Sequence, residues 1–261
     1  MANIDTYAPG SFCWFELATS DQSAAKNFYM SLFGWGVMDL PMGPDGVYSM
    51  FQLEGRTPGA AFQMGSDLRE KGIPPHWGLY IAAQSVDDAA GKVSPAGGKV
   101  IEGPFDVFDV GRMAVVQDPT GAVFHIWEEK RPHANGIAGV PGTFCWADLC
   151  TRDTEAAIGF YGKVFGWQIL PGEKDSTGYL HIKNGDTHIG GMPPARYLPP
   201  NVPPHWLLYF FVADADAATA RVKELGGAVH MGPVTIETVG RMSLVADPQG
   251  AVFALFTPTA H

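Results

Sequence analysis

The chain has 261 residues, 46% of them hydrophobic, and 27 acidic against 17 basic side chains give a formal net charge of −10. Such a chain can bury one large core or two ordinary ones, and its charge argues against a nucleic-acid footprint or a polybasic membrane surface. No apolar run approaches the roughly 20 residues of a bilayer span, the first residues lack a signal-peptide pattern, and three cysteines are too few for a disulfide framework. An acidic cytoplasmic protein that handles a small molecule is expected.

In chain order, Phe12 to Ala18 reads as a short, buried, aromatic-rich strand. Asp21 or Ser20 can cap the following helix, where Ala24, Ala25, Phe28, Tyr29, Leu32 and Phe33 recur at helical spacing and Gly34 supplies the stop. Strands are predicted at Trp35 to Leu40, Val47 to Leu53 and Gly59 to Met64. The order then restarts, with a strand from Trp77, a helix over Val86 to Pro95, and strands near Lys99, Met113 and Val123. Asp118-Pro119-Thr120-Gly121 has the residues of a type I turn and should join the last two strands as a hairpin. A polar, Gly- and Pro-containing stretch from Glu129 to Pro141 follows as a linker.

The pattern returns about 130 residues later, a period far beyond that of a solenoid. Gly10-Ser11-Phe12-Cys13-Trp14 returns as Gly142-Thr143-Phe144-Cys145-Trp146, and Phe33-Gly34-Trp35 as Phe165-Gly166-Trp167. Pro74-Pro75-His76-Trp77 returns as Pro203-Pro204-His205-Trp206, and Asp118 to Phe124 as Asp247 to Phe253. Two homologous α+β domains are expected, 1–130 and 140–261, each built from two βαβββ modules.

These landmarks, together with Gly97-Gly98 and Gly111-Arg112, resemble the vicinal oxygen chelate superfamily, which includes glyoxalase I, bleomycin-resistance proteins and extradiol dioxygenases. The likeness spans almost the whole chain, twice, and the tandem-domain glyoxalase-like branch is the most similar. It implies that paired modules curl their sheets into cups, with a divalent metal held by His or Gln on the first strand, His on the first strand of the second module, and Glu on its last strand. Counted from the landmarks, those positions carry Trp14, Gly78 and His125 in domain one, and Trp146, Leu207 and Ala254 in domain two. Indole, hydrogen and hydrocarbon offer no lone pair to a cation, and one imidazole does not hold a divalent ion. No metal and no cofactor are therefore expected. Side chains two apart on a strand share a face, so Glu16, His76 and His125 form an alternative two-His-one-carboxylate set.

With Trp14 and Trp146 in place of a ligand, each cup becomes aromatic-lined, with Tyr80 and Tyr209 on the inward face. Arg112, Asp148, His181 and Arg241 are candidate orienting groups, and Glu16 and His125 are candidate acid/base catalysts. The arginines could equally pair with Glu16 and Asp148 and hold the fold. Cys13 and Cys145 are expected to face away from the cups as packing thiols. The favoured function is metal-independent binding of a planar or apolar organic molecule, in sequestration or resistance, by a monomer or homodimer. The alternative is an enzyme of the same superfamily (lyase, isomerase or oxygenase/hydroxylase), metal-free through Glu16 and His125, or metal-dependent through Glu16, His76 and His125. Unequal cups are expected, because His125 is matched by Ala254, and Ser49 beside Tyr48 by His181 beside Tyr179.

Overall fold

A computed structural model describes residues 2–43, 46–131, 136–172 and 177–259. A strand β1 (Ala2–Ile4) precedes domain one. The first module follows as β2 (Phe12–Thr19), α1 (Gln22–Phe33), β3 (Gly36–Pro41), β4 (Val47–Gln52) and β5 (Ala60–Gln63). After a short helix α2 (Ser66–Glu70), the second module is β6 (His76–Ala82), α3 (Val86–Val93), β7 (Lys99–Val107), β8 (Gly111–Gln117) and β9 (Val123–Glu129). Strand β10 (Gly136–Ala138) lies in the expected linker and pairs antiparallel with β1. Domain two repeats the plan: β11 (Phe144–Cys150), α4 (Thr154–Phe165), β12 (Gln168–Pro171), β13 (Leu180–Asn184), β14 (Thr187–Met192), β15 (His205–Phe211), α5 (Ala215–Glu224), β16 (Ala228–Ile236), β17 (Gly240–Ala246) and β18 (Val252–Pro258). Among the described residues no helix is long and apolar enough to cross a membrane.

Each domain is one eight-stranded sheet, in the order β3-β4-β5-β2-β6-β9-β8-β7 and, equivalently, β12-β13-β14-β11-β15-β18-β17-β16. The two modules of a domain are therefore two four-stranded halves joined along their first strands, β2 with β6 and β11 with β15, both antiparallel. Local chemistry sets the helix ends. The Asp21 carboxylate accepts the Ala24 amide at the start of α1, and Gly34 ends it at φ 71°, a left-handed conformation that costs glycine little. Asp153 and Gly166 do the same for α4. The Asp118 turn is the expected hairpin, closed by Gly121 N–H donating to the Asp118 carbonyl at 3.1 Å.

Strand alternation divides the molecule into three apolar regions. Phe15 and Leu17 on β2, Leu79 and Ile81 on β6, and Phe124 and Ile126 on β9 join α1, α3 and their domain-two counterparts in one shared core. The opposite faces of the two sheets are the cups. One packs Trp14, Met50, Ala60, Tyr80, Ala82 and Trp127; the other packs Leu207, Tyr209, Met242 and Ala254 with the partly buried Trp146.

The shared core is a pseudo-two-fold interface between the domains. Tyr29 of α1 donates its hydroxyl to Asp247 Oδ2 at 3.0 Å and accepts the Trp77 indole N–H at 2.9 Å. Its counterpart Tyr161 donates to Asp118 Oδ2 at 3.0 Å and accepts from Trp206 at 3.0 Å. Trp35 donates to the Gly142 carbonyl and Trp167 to that of Gly10, each at 2.9 Å. Each domain thus completes hydrogen bonds that the other leaves open, in a setting where an unpaired polar group would cost about 1–3 kcal/mol.

Candidate functional site

The cup of domain one is built on β2, β6 and β9. Trp14 lies directly opposite Tyr80 across β2–β6, and Tyr80 lies beside His125 across β6–β9. These three residues form one row, with Glu16 and Gly78 in the next. In domain two the corresponding row is Trp146, Tyr209 and Ala254, with Asp148 opposite Leu207 behind it. Gly78 and Leu207, where the resemblance implies the second ligand, therefore lie opposite Glu16 and Asp148, one row away from Trp14 and Trp146.

A hydrogen-bonded cluster fills each cup. Glu16 accepts the Tyr80 hydroxyl on Oε1 at 2.9 Å and the Tyr48 hydroxyl on Oε2 at 2.5 Å, and the Trp14 indole donates to Tyr48 at 2.9 Å. Asp148 accepts Tyr209 on Oδ2 at 2.8 Å, and on Oδ1 Tyr179 at 2.5 Å and the Trp146 indole at 3.1 Å. Burial pushes both carboxyls above their ordinary range, against the opposing pull of the tyrosine hydroxyls. The tyrosines that face these carboxylates are in turn pushed upward, first by burial and then by the carboxylate charge. Gly191 makes the second cluster possible, since a Cβ there would overlap the Tyr179 hydroxyl. Tyr48 and Tyr179 were not among the predicted site residues. Their signal was an aromatic at the same place in each repeat, obscured by the change in repeat spacing.

His125 lies over Gly78, where a Cβ would come within 3.0 Å of its ring, and stacks on Tyr80 with centroids 4.2 Å apart and planes at 16°. Its Nδ1 is buried without a hydrogen-bond partner. Burial lowers its pKa to about 4, opposed by the Leu79 backbone and reinforced by His76, so the ring is neutral at physiological pH. His76 sits at the strand start with Nδ1 2.8 Å from the Pro74 carbonyl, and His205 repeats this at 2.9 Å from that of Pro203.

Several expected partnerships are absent. Arg112 does not meet Glu16: its Nε and Nη2 donate to Asp87 at 2.7 and 3.0 Å and its Nη1 to Asp106 at 3.0 Å. Arg241 likewise pairs with Asp216 and Thr235 rather than Asp148. Both arginines point to the helix side of their strands, because Met113 and Met242, the next residues, face the cups. The preceding glycines, Gly111 and Gly240, leave space for Trp127 and Phe256, whose rings a Cβ would overlap. Cys13 does not face away. A β-bulge between Phe12 and Trp14 turns both Cys13 and Trp14 into the cup, and Cys145 and Cys150 pack in the other. Burial pushes the Cys145 thiol up to about 12 and Cys13 and Cys150 further, so all three are protonated. His181 aligns with Met50 rather than Ser49, since both lie opposite the small residue beside the cup carboxylate, Gly191 and Ala60. Ser49 points to the other face, bonded to Gln22 and Asp39.

The donor set does not fit a divalent ion. In the row of domain one, Trp14 has no lone pair to offer, Tyr80 is bonded to Glu16, and His125 is a single imidazole. The set Glu16, His76 and His125 does not converge: among the described residues no group of three or more His, Cys, Asp and Glu side chains stands close enough to hold a metal.

Toward the Trp14 end of the same cup lies a cavity of about 320 Å³, lined by Tyr7, Cys13, Trp14, Gln84, Trp127 and Glu129 among others. Tyr7 comes from the segment after β1, and its hydroxyl abuts Gly136 on β10, where a Cβ would overlap it. The N-terminal segment thus forms one wall, which nothing in the sequence had indicated.

A family model described as Glyoxalase/Bleomycin resistance protein/Dioxygenase superfamily matches residues 11–126 and 143–255. A Mycobacterium tuberculosis protein named "Putative glyoxylase CFP32" is 42% identical over 265 residues, covering 99% of this chain and 98% of the relative. "Anthracycline biosynthesis protein DnrV" of Streptomyces peucetius is 34% identical over 263 residues, covering 95% and 94%. Among solved structures, the Mn(II)-bound glyoxalase from Novosphingobium aromaticivorans superposes with a TM-score of 0.64 at 18% identity, over 95% of this chain and 82% of that one. The 2,3-dioxygenase LapB from Pseudomonas sp. KL28 gives 0.65 at 13% identity, over 96% and 93%.

Proposed function

The chain belongs to the Glyoxalase/Bleomycin resistance protein/Dioxygenase superfamily, and from that membership we propose that it binds a planar aromatic small molecule in the cup of domain one, without a metal. The observation that carries this reading is the cavity of about 320 Å³ walled by Trp14, Trp127 and Tyr7. Its size falls at the lower end of small-molecule sites, and aromatic walls with a few polar groups are what such sites present. Flat conjugated ligands gain most from stacking between rings, each contact contributing on the order of 1 kcal/mol beyond area burial. Relatives named for anthracycline biosynthesis support the same ligand shape. Sequestration or delivery of the bound molecule fits a cup in which the inner carboxylate, Glu16, is already engaged by two hydroxyls.

Tryptophan fluorescence tests it. Titration with neutral anthraquinone should quench the emission saturably, and Trp14→Phe should remove a substantial part of that quenching and weaken the affinity several-fold. Quenching that Trp14→Phe leaves unaltered contradicts the assignment of the cup.

One observation favours a second reading, metal-free acid/base chemistry. The unpartnered Nδ1 of His125 is a neutral imidazole nitrogen with capacity to exchange a proton. Turnover of the methylglyoxal–glutathione hemithioacetal, lost in His125→Ala and insensitive to chelators, would establish it.

A further inference from the structure

We propose that the lip of the domain-two cup binds the anionic group of a small organic molecule, held by His181, Lys183 and His188. This site is separate from the cavity of domain one and does not depend on the reading of that cavity.

Strand register brings the three side chains together. His181 lies opposite Gly191, which lies opposite Asp148, and the Tyr179 ring occupies the space over Gly191, so this row faces the cup. Lys183, two residues on along β13, faces the same side. Its partner across the hairpin is His188, and the His181 and His188 ring centroids stand 5.3 Å apart. A bulge turns both Ile189 and Gly190 toward the shared core, where they meet apolar neighbours including Phe12, and this keeps His188 on the cup face. His181 and Lys183 are half-buried and His188 is exposed. Among the described residues none of the three side chains makes a hydrogen bond or an ion pair. The acids on the adjoining elements do not offset them: β12, β13 and β14 carry none, Asp148 on β11 is engaged by Tyr179, Tyr209 and Trp146, and Asp186 stands in the hairpin turn. The His188 pKa is held below the ordinary imidazole value, first by loss of solvent and then by the charges of Lys183 and His181. An anion between the rings and the ammonium relieves that repulsion and accepts hydrogen bonds from all three. A metal cation in the same place meets Lys183 and finds only two imidazoles. Leu170, opposite His181 on β12 and 54% exposed, sets an apolar surface beside the charged group, which suits an organic anion better than an inorganic one.

The first repeat shows that this cluster is not a requirement of the fold. By register Met50, Gln52 and Thr57 correspond to His181, Lys183 and His188, since Met50 lies opposite Ala60 as His181 lies opposite Gly191. There the Gln52 amide donates to the Thr57 hydroxyl at 3.4 Å, and no residue of the set carries a charge. One repeat closes this corner with neutral groups that bond to each other; the other fills it with three basic side chains, in a chain whose net charge is −10.

Proton NMR of the full chain, following the C2 protons of its eight histidines, tests the inference. The probe is butane-1-sulfonate, which stays ionised throughout the titration of histidine and is exchanged for chloride at constant ionic strength. The signals of His181 and His188, assigned by their loss in His181→Met and His188→Thr, should shift saturably and titrate at higher pH with the probe bound. Lys183→Gln, which places there the residue type of Gln52, should weaken binding about fivefold. Lys92→Gln, at an exposed position on α3 of domain one, should leave it unchanged and so separates local recognition from net charge. Leu170→Ser should weaken butane-1-sulfonate and not inorganic sulfate. Shifts that fail to saturate overturn the inference, as does an affinity in Lys183→Gln within about twofold of wild type. Inorganic sulfate that binds the wild type as tightly as butane-1-sulfonate overturns the organic ligand.

Discussion

Asp118→Ala is expected to destabilise the chain by about 3–5 kcal/mol. One oxygen of this buried carboxylate accepts the amides of Thr120, Gly121 and Ala122 and the Thr120 hydroxyl, all between 2.8 and 3.0 Å. The other accepts Tyr161 from the opposite domain. Alanine therefore releases the β8–β9 hairpin turn and orphans a buried tyrosine hydroxyl at the domain interface in one step. Urea denaturation followed by circular dichroism measures it. A loss below about 1 kcal/mol would mean that water replaces these bonds and that the turn is not what joins the domains. Tyr161→Phe, which removes the interdomain bond and the acceptor of the Trp206 indole but leaves the turn intact, should cost less, about 1–2 kcal/mol.

The second large effect is expected at Glu16. Glu16→Ala leaves the Tyr48 and Tyr80 hydroxyls without their acceptor and opens a void between them, for a loss of about 3–4 kcal/mol. Glu16→Gln is more informative, because it keeps the shape and removes the charge. Burial raises the Glu16 pKa in the folded chain above its unfolded value. Its contribution to stability is therefore complete below the ordinary carboxyl range and is lost as pH rises through the raised value. Relative to wild type, Glu16→Gln should be clearly destabilised near pH 5 and should approach or exceed wild type near pH 8. A difference that does not vary with pH would show that the carboxylate titrates normally and that the tyrosines, not burial, govern its charge.

The architecture could be read from the sequence because it is written twice. A repeat preserves both the helix pattern around Phe28 and Tyr29 and the turn at Asp118, and each copy confirms the other. The cup was partly legible: alternation on β2, β6 and β9 correctly placed Trp14, Tyr80 and His125 on one face. What failed depended on contacts distant in sequence. The bulge that turns Cys13 inward leaves no mark in a run of buried residues, since Phe12, Cys13, Trp14 and Phe15 are all apolar. Arg112 is opposite in character to Glu16 but lies on the other face of the sheet, and Asp87 is close only through the packing of α3. Tyr29 and Tyr161 read as helix-face packing residues. Their hydroxyls reach across the domain interface, a relation that no local pattern encodes.

We propose that the positions at which the family resemblance implies metal ligands, Trp14, Gly78 and His125 in domain one, hold no divalent ion. Elemental analysis by plasma mass spectrometry, on protein purified without chelator and then dialysed against Mn(II), Zn(II), Fe(II) and Ni(II) in turn, tests it directly. The account predicts far less than one equivalent of any ion per chain, unchanged in His125→Ala. Close to one tightly held ion per chain, lost in His125→Ala, would contradict it.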